Sequence, residues 1–132
     1  MFLFIVFNFL IGLLVGYIFE FVYRSFQAKK IIRPKFINLQ IYGLTTIFLS
    51  ILYLLNISQI FKLILIFIFP TLIEFTTGYL YLKTKQSRLW DYSHESFNFM
   101  GIICLRFSLF WFIIAIVYYF FILSSLIQLL ER

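Results

Sequence analysis

The sequence predicts an all-α, polytopic membrane protein with four transmembrane helices joined by short loops. Of its 132 residues, 64% are hydrophobic and only 12% are charged, whereas a soluble domain usually has about 25% charged residues. The charged residues are also unevenly spread and leave long apolar runs between them. The hydrophobicity excludes a disordered chain, and the single cysteine excludes a disulfide scaffold.

Each apolar run is long enough to cross a bilayer, because about 20 apolar residues span its hydrocarbon layer. Residues 1–19 and 36–61 contain no charged side chain, and only Glu74 interrupts 63–82. Near the end of the chain, Arg106 alone divides two uncharged stretches. We expect a single transmembrane domain, residues 1–132, with spans at about 2–23, 37–55, 60–82 and 100–127.

The basic residues concentrate in two loops. Segment 24–36 has five basic residues and no acid, and segment 83–98 has three basic residues against two acids, whereas turn 56–61 is uncharged. Basic residues in short loops favour the cytoplasmic side. We therefore expect a multi-pass protein of the cell membrane with both termini outside the cytoplasm. The net charge of +6 then reflects topology and contact with the lipid bilayer, not nucleic-acid binding.

Polar side chains inside the apolar runs are the first candidates for a functional site. Glu20 and Arg24 are four positions apart and share one helix face, either as an interfacial ion pair or with Glu20 pointing into the bundle. Glu74 lies about 12 Å inside the third span by helix rise, with Thr77 on the same face. Arg106 has an expected depth of about 9 Å, so we expect it to pair with Glu74.

These polar residues concentrate in the half of the membrane that faces the cytoplasm. We expect Glu20, Tyr42, Glu74 and Asn98 to line one polar pocket. Such a pocket suits a cation, a protonated carboxyl or, through Arg24 and Arg106, a polar head group. The alternative is a dry set of interhelical hydrogen bonds.

A further polar segment precedes the fourth span. Trp90 and Tyr92 suit the membrane interface, and Asp91 or Ser93 can cap a short interfacial helix. With Arg88, they form the expected interfacial loop. Its acids and histidine make only one small cluster, which is weak support for a metal site. We expect no metal, no cofactor and no catalytic residue.

Short motifs occur in order along residues 16–111. They are Gly16-Tyr17-Ile18-Phe19-Glu20 with Arg24, Ile41-Tyr42-Gly43, Glu74-x-x-Thr77-Gly78, Trp90-Asp91-Tyr92-Ser93, Phe97-Asn98, Gly101-Ile102-Ile103-Cys104-Leu105 and Ser108-Leu109-Phe110-Trp111. This series resembles the ABC-transporter type IV (CmpB-like) integral membrane protein family. The resemblance implies a permease, for which ATP-driven activity would need a separate ATPase subunit. The family's N-R-G-F residues are missing from the first loop, and Arg106 replaces an apolar residue.

Three functions fit these observations. The first is a transporter-, permease- or channel-like subunit with a polar site in the cytoplasmic half of the membrane. The second is a regulatory or assembly subunit without its own transport activity. A membrane-embedded enzyme acting on lipid head groups is less favoured, because no nucleophile–base pair is evident. Four short spans enclose little space, so we expect a homo-oligomer or a partner membrane subunit.

Overall fold

A computed structural model describes residues 1–130 and is almost entirely helical. Its helices are long and apolar enough to cross a membrane in four places: Phe2–Ala28 (α1), Phe36–Leu54 (α2), Gln59–Lys85 (α3) and Leu105–Leu130. Within the described residues, two short antiparallel strands, β1 (Asn98–Phe99) and β2 (Ile103–Cys104), precede the last helix. The predicted fold class, all-α with four transmembrane helices, is confirmed.

The chain divides into two compact units. Unit 1 is Met1–Leu54 and contains α1 and α2, and unit 2 is Leu55–Arg132 and contains α3, the two strands and the last helix. The expectation that the whole chain forms one transmembrane domain stays a prediction.

Glycines bring α1 and α2 of unit 1 close together. A Cβ added to Gly12 would lie 2.9 Å from the Cα of Gly43 and 2.9 Å from the carbonyl oxygen of Tyr42. In the same region, the Thr46 hydroxyl lies 2.8 Å from the carbonyl oxygen of Asn8. Small residues let membrane helices approach in this way, so the hairpin depends on contact between the two backbones.

Unit 2 pairs a long helix with a helix of mixed geometry. The Ser58 side chain caps the start of α3, and Gln86, with a φ of 53°, caps its end. Pro70 lies inside α3, where it cannot donate a backbone hydrogen bond. The last helix consists of α4 (Leu105–Val117), a π-helical segment (Tyr118–Leu123) and α5 (Ser124–Leu130).

The fourth helix begins later than the apolar pattern predicts. It starts at Leu105 and not near residue 100. Phe97, Met100 and Gly101 have φ values of 53°, 55° and 67°, which a right-handed helix does not allow. A stretch that the sequence predicts to be helical is therefore part of a folded loop.

Candidate functional site

Glu20 is the centre of a polar cluster in unit 1. The Nε of Arg24 donates to its Oε2 at 2.6 Å, as the spacing of four residues predicts. The Tyr42 hydroxyl donates to Oε1 at 3.2 Å, and the Asn38 amide donates to Oε2 at 3.5 Å. Both Tyr42 and Asn38 come from α2, so the carboxylate of one helix is held by two side chains of the other.

A glycine gives Tyr42 access to this carboxylate. Gly16 lies one helical turn before Glu20, and a Cβ added to it would lie 2.6 Å from the Tyr42 ring. An alanine at this position would therefore push the ring away. Gly16 acts on the cluster through Tyr42. The G-x-x-x-E spacing places the glycine one turn from the carboxylate, where it leaves room for the tyrosine ring.

Glu74 is the buried carboxylate of unit 2. The residue is only 3% exposed, and the Tyr92 hydroxyl donates to its Oε1 at 2.9 Å. The Tyr92 ring stacks on Phe107 of α4 with a centroid distance of 4.6 Å. Tyr92 belongs to the unit 2 loop (residues 86–104), so this loop supplies a hydroxyl donor to Glu74. Thr77 is half-buried in the next turn of α3.

The predicted pair of Glu74 and Arg106 is wrong. The Nη1 of Arg106 lies 3.2 Å from Oε1 of Glu95, and the Arg106 side chain is 70% exposed. The error follows from the helix boundary, because α4 begins at Leu105 and Arg106 therefore lies in its first turn. Arg106 therefore lies at the surface, where it pairs with an acid of the unit 2 loop instead of neutralising a buried acid.

The unit 2 loop is built by side chains that bind backbone carbonyls. Trp90 Nε1 donates to the carbonyl oxygen of Ile102 at 2.7 Å, and Arg88 Nη1 donates to that of Met100 at 2.9 Å. The Tyr92 amide donates to the Gly101 carbonyl at 2.8 Å. These bonds join the two halves of the loop and position Tyr92 beside α3.

Asn98 and Gly101 complete this loop. The Asn98 side chain donates to the carbonyl of Glu95 at 2.9 Å and to that of Ser93 at 3.3 Å, and it accepts from the Gly101 amide at 3.0 Å. A Cβ on Gly101 would lie 2.9 Å from Nη1 of Arg88, and the φ of 67° already favours glycine. Asn98 therefore stabilises the loop itself.

Two titratable groups of the loop have shifted pKa values. Hydrogen bonds from Ser93, whose amide lies 2.9 Å from Oδ1 of Asp91, lower the pKa of that exposed carboxyl below 3.8. Burial raises the pKa of the Cys104 thiol above 9.0, and the residue is 2% exposed. Cys104 is therefore an unreactive thiol while the loop is closed. Among residues 1–130, no group of three or more His, Cys, Asp or Glu could hold a metal ion.

The sequence analysis did not predict two residues that take part in these clusters, Asn38 and Glu95. Asn38 was not predicted, although it precedes Tyr42 by four positions and therefore shares its helix face. Its Oδ1 is buried without a hydrogen-bond partner among the described residues. Glu95, considered only as a weak metal ligand, is the partner of Arg106. A pocket that combines Glu20 and Tyr42 with Glu74 and Asn98 would need both units and stays a prediction.

The comparison with known proteins concerns nearly the whole chain. The family model described as "Putative ABC-transporter type IV" matches residues 7–132. The chain belongs to this family. No curated protein and no solved structure matches it. With its four apolar helices, this member of the ABC-transporter type IV family is a multi-pass membrane protein.

The motifs of this family member now have structural positions. Those of its first half surround Glu20 and the glycines of unit 1, and those of its second half form the unit 2 loop and its contact with α3. A Cβ added to Gly78 would lie 2.6 Å from Cγ2 of Ile102 and 3.0 Å from Cζ2 of Trp90. The E-x-x-T-G motif therefore provides both the carboxylate and the space for the loop that contacts it.

Proposed function

We propose that this protein is a transporter-, permease- or channel-like membrane subunit whose functional groups are its two helix carboxylates. One observation supports this most strongly. Glu20 and Glu74 both lie in helices apolar enough to span a membrane, and each accepts a hydrogen bond from a tyrosine hydroxyl. Acidic residues in such helices are costly and usually mark ion or proton pathways.

The chemistry of the two clusters favours a small cation or a proton as the transported species. Carboxylate, phenol and amide oxygens are hard ligands that bind cations and relay protons. Tyr42 and Tyr92 can each donate to a carboxylate or accept from a protonated one. Arg24 offsets the charge of Glu20, so a cation that binds there must compete with the guanidinium.

We place both basic loops in the cytoplasm and both termini outside it, on the distribution of basic residues. The test uses Cys104→Ser as a background, into which Lys30→Cys or Gln86→Cys is introduced. In intact cells, a membrane-impermeant maleimide should label neither position until the membrane is permeabilised. Labelling of either cysteine from outside would contradict this orientation.

The family name supports a separate ATPase subunit as the source of energy. We also propose a homo-oligomer or a partner membrane subunit, since a chain with four spans provides few helices for a pathway. Crosslinking of the protein in native membranes should give defined multiples or a defined heteromer. A monomer at every crosslinker concentration would contradict the assembly.

The proposed activity is tested in proteoliposomes. Liposomes loaded with a pH-sensitive dye, or with a potassium-sensitive dye, receive the purified protein and an imposed ion gradient. We expect the gradient to decay faster than in empty liposomes, and Glu74→Gln to slow that decay several-fold. Glu95→Gln is the matched control, because it makes the same chemical change in a surface pair: its partner Arg106 is 70% exposed, and such pairs contribute little to stability. Decay equal to that of empty liposomes, with folded protein present, would contradict an autonomous pathway.

A regulatory or assembly subunit is the second candidate. The close glycine contacts between α1 and α2 favour it, because such contacts serve helix packing irrespective of transport. In that case, Glu20→Gln and Glu74→Gln would lower the yield of the assembled complex without changing any flux. Measuring assembly and flux on the same variants separates the two functions. The lipid-enzyme alternative has no supporting observation of this kind.

A further inference from the structure

The unit 1 loop (residues 29–35) joins α1 to α2 and is strongly basic. It contains Lys29, Lys30, Arg33 and Lys35, and no acidic residue. The nearest acid along the chain, Glu20, is already paired with Arg24. The positive charges of Lys29, Lys30 and Arg33 are therefore not balanced by acids of their own segment, and an anion would be attracted to them.

The loop has a defined conformation. The Ile32 amide donates to the Ser25 hydroxyl at 3.0 Å, and the Lys30 amide donates to the Ser25 carbonyl at 3.3 Å. Lys29 adopts a left-handed conformation with φ 52° and caps α1. These contacts fold the start of the loop back onto the last turn of α1. Its lysines are therefore presented by a fixed turn.

Apolar side chains accompany the cations. Phe26, Ile31 and Phe36 are 84%, 81% and 63% exposed, and they lie among Lys29, Lys30 and the other basic residues of the segment. Exposed apolar groups interleaved with basic ones are typical of a surface that sits at the boundary between lipid tails and phosphates. The composition of this surface thus matches a lipid interface.

Arg24 adds a directed anion ligand. Among its described contacts, only Nε makes a hydrogen bond, to Glu20, and the side chain is 26% exposed. The Tyr42 hydroxyl and the Asn38 amide fix that carboxylate in turn. The guanidinium is therefore held in one orientation while its two terminal nitrogens stay available. A planar pair of N–H donors matches two phosphate oxygens.

We propose that Arg24 and the unit 1 loop bind the phosphate of an anionic lipid head group of the phosphatidylglycerol class. Arg24 binds the phosphate oxygens directly, Lys29 and Lys30 add attraction, and Phe26 and Ile31 contact the acyl region. Glu20 is a positioning residue for Arg24. This inference does not depend on the transport activity proposed above.

Unit 2 provides the internal comparison. Several of its basic residues are engaged: Arg88 donates to a backbone carbonyl, Arg106 pairs with Glu95, and the Nζ of Lys83 lies over the Tyr79 ring. Asp91 adds a negative charge to the same segment. A general attraction of any basic loop to anionic lipid would involve both units. Preference for the unit 1 loop is what the proposal requires.

The test is native mass spectrometry of the full-length protein in detergent, titrated with dioleoyl phosphatidylglycerol or dioleoyl phosphatidylcholine. Lys29→Gln/Lys30→Gln should weaken phosphatidylglycerol binding about 30-fold, because each of the two basic residues near an anionic surface contributes about 1 kcal/mol and 1.4 kcal/mol corresponds to tenfold. The matched control, Lys83→Gln/Lys85→Gln, removes the same charge from α3 and should change binding little. Arg24→Lys keeps the charge but loses the planar pair of N–H donors, so it should also weaken binding.

Three results would overturn the proposal. They are equal weakening by the two double variants, equal binding of the two lipids by the wild type, and displacement of phosphatidylglycerol by millimolar inorganic phosphate, which would indicate a site for the free ion. Thermal unfolding of each variant in the same detergent confirms that the proteins compared are folded. Ion flux is not part of this readout, so loss of flux in liposomes leaves the result unaffected.

Discussion

In each of the two units, a tyrosine hydroxyl donates to a helix glutamate, but the tyrosine comes from a different kind of element. In unit 1, Tyr42 reaches Glu20 from the neighbouring helix, and Arg24 pairs with the same carboxylate. In unit 2, Tyr92 reaches Glu74 from a folded loop. A helix is fixed by its whole length, whereas a loop depends on a few hydrogen bonds. The geometry around Glu74 is therefore the more sensitive of the two to local changes.

A glycine one turn from the carboxylate is common to both units. Gly16 precedes Glu20 by four positions and is next to the Tyr42 ring, and Gly78 follows Glu74 by four positions and is next to Trp90. The Tyr42 ring occupies the space that a Cβ on Gly16 would fill, and a methyl of Ile102, with the Trp90 ring behind it, does so at Gly78. In both clusters, the glycine therefore makes room for the element that carries the tyrosine donor, which is α2 in unit 1 and the loop in unit 2.

The largest expected effect is a loss of stability when alanine replaces a glycine. The loss should be greater where the new Cβ meets backbone than where it meets a side chain. In Gly12→Ala, the new Cβ meets the Gly43 backbone, so we expect the free energy of unfolding to fall by about 1–3 kcal/mol. In Gly78→Ala, the nearest atom is a methyl of Ile102, which can shift, so the loss should be smaller. Unfolding by sodium dodecyl sulfate in mixed micelles measures both. A larger loss for Gly78→Ala would contradict the comparison.

The next effect concerns the unit 2 loop. Gly101→Ala forces a residue with a Cβ to keep a φ of 67°, which costs about 1–2 kcal/mol in local stability. The buried Cys104 thiol, whose pKa is raised by burial, reports on this opening. Its labelling by N-ethylmaleimide should be about tenfold faster in Gly101→Ala, since each 1.4 kcal/mol corresponds to tenfold. Gly12→Ala serves as the control, because its change lies in unit 1; equal acceleration there would point to global unfolding.

Removing the two tyrosine hydroxyls tests the comparison directly. Tyr92→Phe keeps the stacking on Phe107 but removes the hydroxyl donor to Glu74, and Tyr42→Phe does the same for Glu20. Hydrogen bonds in membrane proteins contribute about 0.6 kcal/mol on average and at most about 1.7. We expect Tyr92→Phe to be the more destabilising, because Glu74 is only 3% exposed and a buried polar group costs more when it loses a hydrogen bond. A double-mutant cycle of Tyr92→Phe with Glu74→Ala, which removes the acceptor, should show coupling, and additive effects would contradict the hydrogen bond.

The smallest effect is the pH dependence of the unit 2 loop. The pKa of Asp91 is lowered in the folded state, so its contribution to stability is present above 3.8 and is lost as the pH falls through the folded pKa. Asp91→Asn does not titrate and is the reference. Hydrogen exchange of peptides covering residues 88–104 should show wild-type protection, relative to this variant, declining only below pH 3.8. A decline that begins near neutral pH would contradict the assignment.

Apolar length and helical spacing predicted most of the fold. The four spans and the pairing of Glu20 with Arg24 follow from those two rules. The start of the fourth helix could not be predicted from these rules. Phe97 and Met100 adopt positive φ although neither is glycine, and the sequence around them is as apolar as that of the spans. The depth assigned to Arg106 was wrong for that reason. The donor to Glu74 could not be predicted from helical spacing either, since Tyr92 lies 18 positions away in an irregular loop.

The most direct test of the proposed function compares flux with stability in one set of variants. Glu20→Gln and Glu74→Gln remove a carboxylate from each unit, whereas Glu95→Gln and Tyr17→Phe change a loop acid and an exposed tyrosine. Ion flux in dye-loaded liposomes and the thermal unfolding midpoint are measured for all four. We predict that the first two variants lose flux several-fold at a nearly unchanged midpoint, and that the other two keep both. Flux that is unchanged in Glu20→Gln and Glu74→Gln, or that only follows the midpoint, would contradict the account.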